Sequence, residues 1–126
     1  MLFHKRIFRI DLAGATEVSG RVGEANLAGT AVAKTLFLDV VATLNAHGIA
    51  STDIPAKLEG LAFGPDVVID GVLEHTLWLS NDNDYIASVV DSNHPAGLAN
   101  PNQFFVFAVD DAALPGFVHQ RLWSLF

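Results

Sequence analysis

Residues 57–84, KLEGLAFGPDVVIDGVLEHTLWLSNDND, leave this chain few ways to fold. Two short apolar runs, 58–63 and 76–80, flank a segment with turn chemistry at both ends, Gly64-Pro65-Asp66 and Asp70-Gly71. Proline fixes φ near the value a turn needs, and glycine supplies positive φ. The pattern predicts a β-hairpin with a long loop. Glu59 stands where the first strand begins, Asp82 and Asp84 where the second finishes. In an antiparallel pair the start of one strand lies beside the end of the other. The three carboxylates, with Asn81 and Asn83, are therefore expected at the end away from the turn. An oxygen-rich group of this kind suits a hard cation such as Ca²⁺.

The plain alternative is that Asp82 and Asp84 only terminate a strand and accept bonds from turn amides. Glu59 resists that reading. It falls in an apolar run, where an unpaired carboxylate is costly, so its substitution is expected to weaken Ca²⁺ binding more than Asp84→Asn. The sequence 82–93 is no EF-hand loop. Ile86 and Ser88 break the ligand pattern, glycine is missing at the sixth place and no glutamate closes it.

Residues 7–12, IFRIDL, alternate with the period of a strand. Residues 13–29 are rich in glycine, alanine and small polar residues and read as a loop. Residues 32–38 form a second strand antiparallel to the first. Residues 39–47 then suit a short helix, with Asp39 as N-cap and Gly48 as its stop. Residues 50–56 connect to the central hairpin, and 85–102 read as a long polar loop. Residues 103–109, QFFVFAV, are apolar on both faces, the mark of a strand buried on both. A tail follows from Asp110, ending in an apolar stub at 122–126.

This is an all-β pattern with a short helix. Two strands, a connector and three more strands amount to about one and a half blades of a four-stranded propeller array, at ~40–50 residues per blade. Five short strands suit a small sandwich equally. At 126 residues the chain is one domain or a piece of one.

A wider resemblance rests on three motifs: KLEGLAFGP, LWLSNDND and NPNQFFVFAVD. Together they resemble the C-terminal part of the phytase-like family, described as having "esterase-like activity of phytase", over about residues 8–114. The resemblance implies a β-propeller, of which residues 1–126 are the C-terminal blades, and an exported, extracellular or periplasmic protein. It also implies a phosphoester or ester as small-molecule ligand, and it strengthens Glu59, Asp82 and Asp84 as a Ca²⁺ site. Family members carry further blades, so the chain is expected to be a truncation or a subunit. Its unpartnered faces would then meet the missing blades or self-associate, and the 104–107 run is the most exposed to this hazard.

Composition narrows the remaining chemistry. A net charge of −7 argues against nucleic acid and anionic membrane surfaces, which need basic patches. It suits cation binding and also plain solubility. With no cysteine, disulfides and thiolate zinc sites are excluded. No apolar run reaches ~18 residues, so no membrane-spanning helix is expected, and the charged start MLFHKRIFRIDL shows no export signal. The five histidines have no HxH or HExxH spacing and read as scattered surface or turn residues. Asp91-Ser92-Asn93-His94 puts hydroxyl, carboxylate and imidazole in sequence, but no GxSxG elbow surrounds a serine. The glycines of 14–29 lack GxGxxG and P-loop patterns. Lys57 and Arg9 read as solvated strand-end cations, with phosphoester contact as the sharper alternative.

Two functions stand at this level. One is a metal-dependent phosphoester or ester hydrolase, in which Glu59, Asp82 and Asp84 hold Ca²⁺. The other is a non-catalytic propeller module that binds calcium or a ligand with the same carboxylates.

Overall fold

The computed structural model describes residues 4–121; the apolar stub expected at 122–126 lies outside the described residues. The chain forms two compact units, residues 1–54 and 55–126. Both are built on antiparallel strands, and the protein is mostly β, as its patterning predicts.

In the first unit, β1 (Arg6–Ile10) pairs antiparallel with β2 (Lys34–Asp39), with a bulge between Ile7 and Phe8. The intervening loop holds one short helical turn, α1 (Glu24–Leu27), absent from the expected loop. Helix α2 (Val40–Ala46) follows β2 directly. Asp39 caps it, its Oδ1 accepting from the Ala42 amide at 3.0 Å, while its Oδ2 accepts from Arg6 Nε at 3.0 Å. These donors hold the Asp39 carboxyl below the usual range, the Ala42 amide most. Gly48, at φ 85°, follows the helix as a glycine stop should. Val40, Val41 and Leu44 bury the inner helix face, and Ile54 joins the core after a single 3-10 turn at Ser51–Asp53.

In the second unit the expected hairpin is present and has more in it than a loop. Strand β3 (Leu58–Phe63) pairs antiparallel with β5 (Val72–Asn81). Between them, β4 (Val67–Ile69) also pairs with β5, through the tight turn Asp70-Gly71. Both turn residues have positive φ, 51° and 82°, the pattern of a two-residue hairpin whose twist matches its strands. Gly64 allows the chain to pass beneath Trp78: a Cβ there would collide with the indole and with Thr76.

Strand β8 (Phe104–Val109) pairs with β5 over residues 75–80, which overlaps the β3 register. β5 is therefore the central strand, with β3 and β8 on opposite sides. One face carries Leu77, Leu79, His75 and Phe107, all buried. The other leaves Trp78, Phe104 and Val106 exposed. Burial of the 103–109 strand on both faces is thus corrected. Among the described residues β8 pairs with β5 alone, so it is an edge strand and only Phe107 is fully buried. The expected 85–102 loop contains a minimal ladder, β6 (Ser88–Val89) with β7 (Leu98–Ala99).

Candidate functional site

At the far end of the β3–β5 hairpin the predicted carboxylates converge on one cation, the ammonium of Lys57. Its Nζ lies 2.5 Å from Asp84 Oδ1, 3.0 Å from Asp82 Oδ2 and 3.9 Å from Glu59 Oε1. The hairpin register does this. Leu58 pairs with Asn81, and the Asp82 amide donates to the Lys57 carbonyl at 2.9 Å, so the ladder runs on past both strands. The register slips between Leu58 and Gly60, which makes Glu59 the bulged residue. Its side chain is 57 % exposed. The premise that Glu59 sits in an apolar environment and needs rescue from burial is therefore corrected: the bulge turns it to solvent.

The following loop is tightly held. Asp82 Oδ1 accepts from the Asp84 amide at 2.9 Å, and Asn83 Oδ1 from the Tyr85 amide at 3.1 Å. Asp84 and Tyr85 both take positive φ, 51° and 58°, a conformation an aspartate tolerates and a tyrosine adopts rarely. Asn81 is buried; its Oδ1 accepts from the Gln103 amide at 2.7 Å, and its amide donates to the Pro101 carbonyl at 3.1 Å. Asn83 and Asn100 exchange side-chain-to-backbone bonds at 3.2 and 3.1 Å. Asn81 and Asn83 thus spend their side-chain oxygens on backbone amides and act as scaffold. Asp82 Oδ2 and Asp84 Oδ1 are left for the ammonium.

The electrostatics follow. The Lys57 pKa is raised, chiefly by its bonds to Asp84 and Asp82. The Asp82 carboxyl is held down by the Asp84 amide first and by Lys57 second. Three carboxylates around one ammonium leave a net negative site whose oxygens face a common point. The ammonium takes the position where these carboxylates accept positive charge.

A second cluster, unforeseen from the sequence, lies nearer the other end of β5. Asp66 Oδ1 meets His75 Nδ1 at 2.9 Å, and Asp66 Oδ2 meets His119 Nε2 at 3.0 Å. On the far side of the His75 ring, Nε2 meets Asp111 Oδ1 at 2.9 Å. His75 is 6 % exposed. The ring of Phe117 stands 4.2 Å from that of His75 and 4.6 Å from that of Phe63. A carboxylate at each nitrogen favours the doubly protonated ring, and the His75 pKa is raised by Asp66 first and Asp111 second. Asp66 is held low by His119 first, then His75. His75 and His119 are therefore no scattered pair. They stand 44 positions apart in the chain, beyond the reach of any spacing rule.

The Asp91–His94 stretch forms a turn held by the Asp91 carboxylate. Asp91 Oδ1 accepts from the amides of Asn93 and His94, each at 2.8 Å, and meets His94 Nδ1 at 3.1 Å. Arg9 lies on β1 in the first unit. No helix among the described residues is long and apolar enough to cross a membrane.

Among models of known families, one described as "Phytase-like: Esterase-like activity of phytase" matches residues 2–85. The match takes in both KLEGLAFGP and LWLSNDND, and ends before NPNQFFVFAVD. No curated protein and no solved structure matches the chain.

Proposed function

The chain belongs to the phytase-like family, and on that premise we propose that it is part of a calcium-dependent β-propeller hydrolase acting on phosphoesters or esters. The observation that carries the reading is the convergence of Asp82, Asp84 and Glu59 on one cation position. All three residues fall within the matched segment. In this reading Asp82 and Asp84 hold Ca²⁺, with Glu59 at the rim, and Lys57 swings aside to meet the substrate's anionic oxygen. Bound calcium supplies charge that polarises a phosphoryl oxygen and makes a neighbouring water more acidic. The stiff Asp82–Tyr85 loop, pinned by Asn83 and Asn100, keeps the two aspartates oriented.

The propeller architecture is supported by the sheet faces. Trp78, Phe104 and Val106 lie on adjacent strands, exposed on one face of the second unit. Blades of a propeller pack such faces on one another. Export fits the family, and the surface charge of −7 suits a cation-binding protein.

The test is calcium titration of the full chain by calorimetry, beside the Asp82→Asn/Asp84→Asn double variant, with phosphate release from a phosphomonoester assayed in parallel. The expected result is saturable Ca²⁺ binding that the double variant abolishes, with calcium-dependent turnover. Binding that survives the double substitution removes these residues from the site. Calcium binding without turnover selects the second reading, a non-catalytic calcium module. The Lys57 contacts support that alternative to this extent: its ammonium already offsets part of the carboxylate charge.

A further inference from the structure

The Asp66–His75–His119 cluster has the composition and layout of a transition-metal site, and we propose that it binds one Zn²⁺. Each residue offers one ligand atom, and the three atoms lie within 4.8 Å of one another. The ligands are His75 Nδ1, His119 Nε2 and one oxygen of Asp66. Imidazole and carboxylate suit Zn²⁺, whereas hard cations such as Ca²⁺ prefer oxygen alone. Zinc with bonds of ~2.0–2.1 Å brings tetrahedral ligands about 3.3–3.5 Å apart. Ligand atoms as far as 4.8 Å apart must therefore close by up to about 1.4 Å, while Asp66 eases away from the imidazoles it now meets at 2.9 and 3.0 Å, the ion replacing those hydrogen bonds. His119 and Asp66 are the less buried ligands, and the adjustment falls to them.

A second, independent feature points the same way. His75 is more than nine-tenths buried, and its far nitrogen, Nε2, is held by Asp111 at 2.9 Å. Metal-bound histidines almost always donate their other N–H to a carboxylate or carbonyl, which fixes the tautomer and the ring plane. Asp111 is placed for that role, fixing Nε2 as the protonated nitrogen and leaving Nδ1 to the metal. Phe117, flanked by Phe63 and packed on both imidazoles at 4.2 and 4.9 Å, walls the site with apolar surface. Three protein ligands leave a fourth position for water. Asp66 follows β3, His75 lies on β5, and Asp111 and His119 come from the segment after β8. One ion therefore fastens that last segment to the sheet.

The test uses the full chain, stripped with chelator and titrated with Zn²⁺ by calorimetry, then with Co²⁺ by visible absorption. One equivalent of Zn²⁺ should bind, and Co²⁺ should show the intense bands of a four-coordinate site. His119→Ala alters a half-exposed side chain and should weaken Zn²⁺ at least tenfold with the circular dichroism unchanged. Asp111→Asn should weaken it roughly tenfold, at the lower end for a residue behind a ligand. Asp82→Asn should leave zinc affinity unaltered, which separates this site from the calcium site. Zinc affinity that His119→Ala and Asp66→Asn leave unchanged overturns the proposal, as does six-coordinate Co²⁺. In either case the cluster is an acid–imidazole clasp without metal.

Discussion

Strand β5 carries an ionic cluster near each end, and the two are built on different plans. At Asn81 the charges come from strand ends and one short loop: Lys57 and Glu59 before and within β3, Asp82 and Asp84 after β5. Their side chains are roughly half exposed. At His75, about 20 Å away at ~3.3 Å per residue, the charges come from three separate segments and surround a buried ring. The same elements, carboxylates around nitrogen cations, therefore differ in what they contribute. Exposed pairs are screened and contribute little. The His75 cluster also fills space, through its contact with Phe117 and Phe63, so its removal opens a packing defect as well as breaking ion pairs.

The contrast predicts unequal effects on stability. In metal-free buffer, His75→Ala should lower the melting temperature by more than about 5 °C, the scale of a substantial core change in a domain this small. Lys57→Met should lower it by less than about 2 °C, as expected of an exposed charge. Thermal melts by circular dichroism measure both. Equal shifts would erase the distinction between a buried and a surface cluster.

pH sharpens the same contrast. The His75 pKa is raised in the folded state, so its contribution is complete below the unfolded value of ~6.5 and fades as pH climbs through the folded value. Asp66 is depressed, so its contribution is complete above ~3.9 and fades as pH falls through its folded value. The histidine end therefore contributes most between about pH 4 and 6.5. Lys57 is also raised, but from ~10.4, so the other end loses nothing on that account until pH exceeds that value. Asp82, held low, adds to the acid limb only. Metal-free protein should thus lose melting temperature from pH 6.5 to 9, and His75→Gln should flatten that limb while leaving the acid limb in place. A wild-type profile level across pH 6.5–9 would contradict the ion pairs drawn around His75.

What the sequence disclosed follows the same divide between local and assembled features. Asp39 as a cap and Gly48 as a stop are local chemistry, and α2 is where they put it. The β1–β2 and β3–β5 pairings follow from alternation and turn residues. Strand β4 was hidden by its length of three residues, although Asp70-Gly71 is itself a hairpin signal that could have located it. The β8 pattern is misleading because apolar residues on both faces need cover on both, and Phe104 and Val106 stay exposed even with the Trp78 ring edge-on to Phe104. Lys57, Glu59, Asp82 and Asp84 are close in register, so their convergence was legible. The Glu59 environment was not, because a bulge cannot be read from a sequence that alternates through it. Asp66, His75, Asp111 and His119 meet only once the tail folds back. No spacing rule covers that.

In the proposed calcium site Lys57 and the ion would compete for one place, which would distinguish the exposed cluster further from the buried one. Removing the ammonium in Lys57→Met should tighten Ca²⁺ binding by roughly two- to fivefold, the scale of one exposed charge pair. Calorimetric titration at fixed ionic strength reads it directly. Weaker binding in the variant would mean that Lys57 organises the carboxylates and does not occupy the ion's position.

The finest effect concerns the order of the three carboxylates. Burial alone would make Glu59 the most important in the proposed site, but Glu59 is exposed on a bulge and lies 3.9 Å from the Lys57 ammonium. Asp84 and Asp82 lie at 2.5 and 3.0 Å. Asp82 is further oriented by the Asp84 amide, which donates to its other oxygen and fixes the plane of the carboxylate. A ligand held in place loses less freedom on binding than a flexible one, so the rigid aspartates contribute more per oxygen. Asp82→Asn and Asp84→Asn should each weaken Ca²⁺ more than Glu59→Gln, whose effect should stay within about threefold because water can take the place of a rim ligand. Parallel titrations of the three single variants rank them. Should Glu59→Gln prove the most damaging, the bulge must close on binding and carry Glu59 inward, and the cluster would then share with the histidine end a dependence on rearrangement that its open geometry does not show.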